Sequence, residues 1–390
     1  MSPRLSTRGA VEPFHVMEVI KAAAARQVTH GDVISLCAGQ PSTPAPRAVR
    51  EAAVAALGDQ VLGYTEAVGT RALREAIAGH YHAAYRIDVD PDDVVVTTGS
   101  SGGFTALFLA AFDAGDTVAM SRPGYPAYRN TLQAMGCRVV ELDCGPETRF
   151  QPSVAMLEEY AARAGAAPAG LIVASPSNPT GTIIDPAELA AIARWCDEHG
   201  TLLVSDEIYH GISYGRPCAS AWETSRQAVL VGSLSKYWSM TGWRVGWLVL
   251  PRHLVRPVEL LVGNLTICPP AVSQVAAVAA FGAAAQVELD GHVARYAANR
   301  DLLLSRLPGL GVGSLAPPDG AFYLWFDVRG LLRAGEDSQG WCRRVLGATG
   351  VALTPGVDFA PAVAGGDARL DGRDYVRLSF AGSTAEMGEA

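Results

Sequence analysis

Seven short runs of aliphatic and β-branched residues, most of them apolar along their whole length, constrain this chain more than any other feature. They are "DVVVTTG" (Asp93–Gly99), "TVAMS" (Thr117–Ser121), "CRVVELD" (Cys137–Asp143), "GLIVASP" (Gly170–Pro176), "TLLVSDE" (Thr201–Glu207), "AVLVGSLS" (Ala228–Ser235) and "RVGWLVL" (Arg244–Leu250). A strand wetted on one face alternates apolar and polar residues. Runs without that alternation read as strands covered on both faces. Between several of them lie segments with apolar residues at helical spacing, such as "DPAELAAIARWCDEHG" with Gly200 as its stop signal. The implied fold class is α/β, a mainly parallel seven-stranded sheet between helices. The last two runs are joined too tightly for a crossover helix, so one antiparallel strand is expected there.

The remainder reads as a smaller α+β domain made from both ends of the chain. "PSTPAPRAV" marks a Pro-rich boundary near Pro41–Pro46, and "DGAFYLWFDV" and "YVRLSFAG" read as strands. The expected division is an N-terminal segment, 1–45, packing with the small domain, a large domain, 46–285, and a small C-terminal domain, 286–390. The Ala-rich run "PPAVSQVAAVAAFGAAAQ" is expected to be one buried helix, being too weakly apolar for a bilayer span. A long helix is expected to begin at "ARYAANRDLLLSRLPGLG", and a closing helix after Phe380, near the point where the sequence stops at Ala390.

At 390 residues, with 49% apolar and 18% charged residues, the chain has the profile of a compact enzyme-sized protein. Its net charge of −8 argues against nucleic acid or an anionic membrane as partner. The N-terminus shows no secretory h-region, so a cytoplasmic location is expected. Cys37, Cys137, Cys144, Cys196, Cys218, Cys268 and Cys342 are odd in number and contain no C-x-x-C pair. They read as free thiols, several of them small core residues. His199 and His210 lack a second ligand at useful spacing, so no metal is expected. "GLGVG" (Gly309–Gly313) follows a helix instead of a strand, which rejects a dinucleotide loop.

Ligands of open α/β sheets bind beyond the carboxyl ends of the strands. Those ends carry a coherent set. After "VVVTT" come Gly99, Ser100 and Ser101, opening a helical pattern whose free N–H groups suit an anion. After "GLIVASP" comes Asn178, after "TLLVS" come Asp206 and Tyr209, and after "AVLVG" come Ser233, Ser235 and Lys236, with Arg244 beyond the turn. Pyridoxal 5′-phosphate has a use for each: an amine for its aldehyde, donors for its phosphate and an acid for its ring nitrogen. Taken singly, each residue has a plainer reading as a cap, turn or core residue. Their joint presence in one order does not.

"SLSKYWSMTGWRVG", together with "SPSNPTGT", "SDEIYHG", "PGYPAY", "GYTEAVGTRALREAIA" and "YVRLSFAG", resembles the ordered blocks of the class I and II aminotransferases of pyridoxal phosphate fold type I, over Ser35 to Ser383. Within that family the chain is most similar to the aspartate- and valine-type aminotransferases of actinobacteria. The resemblance implies that Lys236 holds the cofactor as an internal aldimine and then shuttles the substrate's α-proton. It implies that Asp206 pairs with the pyridinium nitrogen, that Tyr209 and Asn178 bond the ring's O3′, and that Tyr125 stacks on the ring. Gly99, Ser100, Ser101, Ser233, Ser235 and Arg244 would hold the phosphate. Tyr64 would reach the phosphate of the neighbouring subunit, making a homodimer with composite active sites. Arg377, with Gly39 and Asn178, would bind the substrate α-carboxylate.

An acidic substrate side chain needs a further cation. Where one branch of aspartate enzymes has a lysine, Ser101 stands here; where those enzymes have a stacking tryptophan, Tyr125 stands here. Another branch borrows an arginine from the partner, and no residue near Gln286–Arg295 matches it. Gly102 and Gly103 leave volume, and Phe14 and Trp238 are expected to line an apolar pocket. The expected activity is transfer of an amino group from a neutral or hydrophobic amino acid to a 2-oxo acid. The alternatives are an aspartate aminotransferase or another carbanion reaction of the same cofactor, such as C–S lyase, decarboxylase or oxidase chemistry. A non-catalytic regulator of this fold would carry a DNA-binding helix-turn-helix, for which there is no space before Ser35.

Overall fold

The computed structural model describes residues Leu5–Ala390. The chain begins with helix α1 (His15–His30), strand β1 (Ile34–Ser35) and helices α2 (Arg47–Asp59) and α3 (Arg71–Tyr85). Strands and helices then alternate: β2 (Val94–Thr98), α4 (Gly99–Ala111), β3 (Thr117–Arg122), α5 (Pro126–Met135), β4 (Arg138–Asp143), α6 (Val154–Ala164), β5 (Gly170–Ala174), α7 (Pro186–His199) and β6 (Leu202–Asp206). Strands β7 (Val229–Ser233) and β8 (Val245–Val249) follow, then helices α8 (Arg252–Leu265), α9 (Ala271–Val278) and α10 (Ala283–Arg306). The C-terminal part contains β9 (Tyr323–Asp327), α11 (Ser338–Thr349), β10 (Val351–Ala352), β11 (Thr354–Pro355), β12 (Tyr375–Ser379) and the six-residue helix α12 (Thr384–Glu389).

The seven expected strands form one sheet in the order β2-β8-β7-β6-β5-β3-β4. Strand β8 runs antiparallel to both neighbours, and the other pairs are parallel. Apolar cores on both faces explain the missing alternation: Val94 and Val96 belong to one cluster, Val95 to the other. A second sheet, β11-β12-β9, is antiparallel, and β1 pairs with β10 in parallel. The segment that follows α1 is thus joined to the C-terminal part of the chain. Helix α1 turns Val19 and Ala23 towards Cys37, Leu346 and Ala352.

Two helix expectations are corrected. The Ala-rich run is broken at Ala279–Gly282, so that α9 and α10 meet at 81°. The indole N–H of buried Trp238 donates to the Ala280 carbonyl at 3.1 Å, which takes that oxygen out of helical bonding where Gly282 turns extended. The long helix starts just after this break, earlier than "ARYAANR" indicates. Among the described residues no single helix is long and apolar enough to cross a membrane. All seven cysteines are free thiols, and five of them are buried.

Candidate active site

The carboxyl ends of β5, β6 and β7 and the start of α4 meet α1, the loop after β1 and strand β12 at a cavity of about 450 Å³. Ser100, Ser101, Tyr125, Asn178, Asp206, Tyr209, Ser235, Lys236, Arg244, Arg377 and Gly39 all line it. Cys37 and Arg377, which are 340 positions apart, are brought together there.

Lys236 lies in the turn after β7. Its Nζ donates to the Gly39 carbonyl at 2.6 Å and stands 5.8 Å from the centre of the Tyr209 ring. Burial lowers its pKa to about 8, helped by Arg377 and Arg244 and opposed by Asp206. Asp206 ends β6. Its Oδ1 accepts from the Ile208 N–H at 3.1 Å and its Oδ2 from the Tyr128 hydroxyl. Burial lifts its pKa to about 6, against the pull of Tyr128, Ile208 and Lys236. At pH 7 the carboxylate is mostly ionised. The Tyr209 hydroxyl meets that of Tyr323 at 2.6 Å, and burial holds this phenol well above its usual pKa.

Arg377 projects from β12 between two rings, with its guanidinium carbon 4.5 Å from the centre of Tyr323 and 4.8 Å from that of Phe359. It donates to Asn178 Oδ1 at 2.8 Å, to the Cys37 carbonyl at 2.6 Å and to Thr354 Oγ1 at 3.2 Å. Its Nε is buried without a partner among the described residues. Gly39 packs so closely that a Cβ would overlap the Tyr323 hydroxyl.

At the opposite end, Gly99 opens α4 with φ +69°. A Cβ there would overlap the guanidinium of Arg244, so glycine is required on steric as well as conformational grounds. Arg244, itself at φ 55°, donates to the Thr241 carbonyl at 3.0 Å. Ser100, Ser101 and Ser235 complete this end. Tyr125 sits just before α5, edge-on to Tyr128 at 5.3 Å and to Phe14 at 6.2 Å between centres.

Some expected residues stand elsewhere. Ser233 lies behind the wall, with its hydroxyl 2.9 Å from Ser235 Oγ and 3.2 Å from the Val245 carbonyl. It supports Ser235 instead of facing the cavity. Tyr64 is 83% exposed and stands in a separate depression with Thr98, Cys268 and Pro269. Trp238 does not line the cavity; it packs against His80, Trp247 and Phe281. Gly103 faces the sheet, where a Cβ would meet Thr97 and Leu248, and neither it nor Gly102 widens the cavity. Phe14 does line it, with Val16, Met17, Ile20, Phe104, Ile208 and Phe359.

Sequence reasoning missed Tyr128 and Tyr323. Tyr128 was within reach, since it ends the "PGYPAY" string one helical turn after Tyr125. Tyr323 is one aromatic residue in an apolar strand and carries no local signal.

The family profile described as "Aminotransferase class I and II" matches residues 31–390. The valine–pyruvate aminotransferase of Mycobacterium tuberculosis is 54% identical, over 100% of this chain and 97% of that protein. The aspartate aminotransferase of Thermotoga maritima is 33% identical, over 92% and 89%. A crystal structure of an aminotransferase from Mycobacterium tuberculosis superposes with a TM-score of 0.94 at 54% identity, covering 100% of this chain and 97% of that one.

Proposed function

This chain belongs to the class I and II aminotransferases, and we propose that it moves the amino group of a neutral or hydrophobic amino acid to a 2-oxo acid from the cavity around Lys236. It is a transaminase that works with pyridoxal 5′-phosphate. One observation carries the preference for neutral donors. Among the described residues the cations lining the cavity are Lys236, Arg244 and Arg377, and each already has a task. The surrounding wall is apolar, with Phe14, Val16, Met17, Ile20 and Phe359, and among the described residues it holds no further cation for a second carboxylate. The name of the relative at 54% identity points the same way, while the aspartate enzyme is more distant.

The donor set fits the cofactor in its chemistry. Gly99 makes room for the Arg244 guanidinium, which with Ser100, Ser101 and Ser235 suits a phosphate. Asp206, mostly ionised at neutral pH, would face the ring nitrogen. Tyr209 and Asn178 would face the ring hydroxyl, and Tyr125 the ring itself. When bound, the cofactor supplies an electron-withdrawing ring that makes the substrate's Cα–H acidic.

The rest is done by this chain. Lys236 Nζ, depressed to about 8, would take the proton from the substrate's Cα and pass it to the cofactor carbon that keeps the nitrogen, so that Cα becomes the carbonyl carbon of the departing 2-oxo acid. Arg377, with its unpaired Nε and its place between two rings, fixes the α-carboxylate.

The working unit in this reading is a cytoplasmic homodimer with no nucleic acid or membrane partner. Supporting it are exposed Tyr64, which shares a depression with Thr266, Cys268 and Pro269, and the exposed apolar side chains of Val61, Leu265 and Ile267, which a second copy would cover. The test is a screen of amino donors against pyruvate and 2-oxoglutarate. Valine, alanine, methionine or aromatic donors should reach kcat/KM values at least comparable with aspartate. Preference for aspartate over every neutral donor by orders of magnitude would overturn the reading of the wall.

A further inference from the structure

Helix α1 covers the cavity with Phe14, Val16, Met17 and Ile20, yet it has no cap of its own. The residue before its first turn, Phe14, offers no side-chain acceptor. The first N–H groups of a helix need partners from elsewhere. Here they find them at the far end of the chain. The His15 N–H donates to Asp358 Oδ1 at 2.9 Å, and the Val16 N–H to Asp358 Oδ2 at 2.8 Å. Asp358 is 4% exposed, and these are the hydrogen bonds its carboxylate makes among the described residues. Its neighbour Phe359 lines the same cavity and packs on Arg377. Its own carbonyl accepts from Arg129 at 3.1 Å, which ties it to α5.

A buried carboxylate is costly unless its bonds are made, so Asp358 and the first turn of α1 fix each other. What that turn carries is the cavity's apolar cover: Met17 and Ile20 remain 60% and 38% exposed at its rim. We propose that Asp358 is a positioning residue for the substrate side chain, which holds the first turn of α1 so that Phe14, Met17 and Ile20 close an apolar subsite. This rests on the neutral-donor reading above. Asp358 touches neither substrate nor cofactor in this account. Removing its grip loosens the grasp on a branched side chain and leaves the chemistry at Lys236 in place.

The test compares Asp358→Asn, which weakens both bonds, with His15→Pro, which deletes the His15 N–H together with the side chain that meets Gln339 at 3.0 Å. Proline is tolerated at the first helical position, and Phe14 before it is extended, with φ −87° and ψ 101°. His15→Ala keeps the N–H and serves as control. Loss of two charge-assisted bonds should raise KM for valine about tenfold, and His15→Pro less. The alanine KM, kcat at saturation and the visible cofactor band should stay near those of the parent protein, and His15→Ala should behave like the parent. Hydrogen exchange over residues 16–24 should quicken in both bond-breaking variants, whichever donor the parent prefers. Equal rises for valine and alanine, or no change in KM, overturns the subsite role. Unchanged exchange overturns the latch itself. A parent protein confined to aspartate refutes the neutral-donor reading instead, and the exchange result still decides the latch.

Discussion

Lys236 and Asp206 set each other's charge, and the signs can be worked out. Burial pushes the lysine down to about 8 and the aspartate up to about 6, and each opposes the shift of the other. The cofactor's aldehyde reacts with the free amine, so capture of added pyridoxal phosphate by the apoprotein should rise with pH through about 8. Asp206→Asn removes the negative charge that favours the ammonium form. The midpoint should therefore move to lower pH, even though the variant binds the ring less well. Visible absorbance between pH 6 and about 9.5 reads both effects, since an amine near pKa 8 titrates within that range. A midpoint that stays put or rises would mean that the two groups do not share a field. Most of this set was legible in the sequence because each residue follows directly on a strand end. Ser233 and Trp238 misled because neighbours in sequence point to opposite sides of a wall, and motif spacing does not say which. Asp358 could not be read at all: it caps a helix 343 residues away.

At the scale of elements, the junction of β2 with α4 is the most demanding piece of backbone. Gly99 holds φ +69° with Arg244 pressed against it, whereas Gly102, three residues on, has only Thr98 Cβ within 4 Å of a would-be Cβ, at 3.6 Å. Gly99→Ala should weaken cofactor affinity by about one or two powers of ten, since a left-handed alanine costs roughly 1–2 kcal/mol and the guanidinium must move as well. Gly102→Ala should stay within about twofold, as a helical glycine replaced without a clash does no harm. Equilibrium dialysis with pyridoxal phosphate separates the two, and equal affinities would remove Arg244 from the phosphate end. The strands themselves were readable because a sheet covered on both faces leaves an unbroken apolar signature. The break between α9 and α10 was not. It depends on the Trp238 indole reaching the Ala280 carbonyl, a contact between separate elements that the Ala-rich composition conceals.

On the whole-molecule scale, we propose the divisions 1–45, 46–285 and 286–390, supported by the pairing of β1 with β10 and of β12 with β9 and β11. The composite dimer is tested by subunit mixing. Lys236→Ala chains and chains with a severely impaired Tyr64 variant, refolded together, should regain one intact site per heterodimer, with Tyr64 of the first chain serving Lys236 of the second. Confirmed heterodimers without activity, or a fully active monomer, would put Tyr64 outside the site. The account as a whole predicts an enzyme that exchanges an amino group and then waits for an acceptor. Valine added to the cofactor-loaded protein without any 2-oxo acid should give one equivalent of 2-oxo product per site, with loss of the visible band, and then stop until pyruvate restores it. Lys236→Ala should give almost none. Continued release of ketone or ammonia without an acceptor, or a response to aspartate and to no neutral donor, would contradict the account.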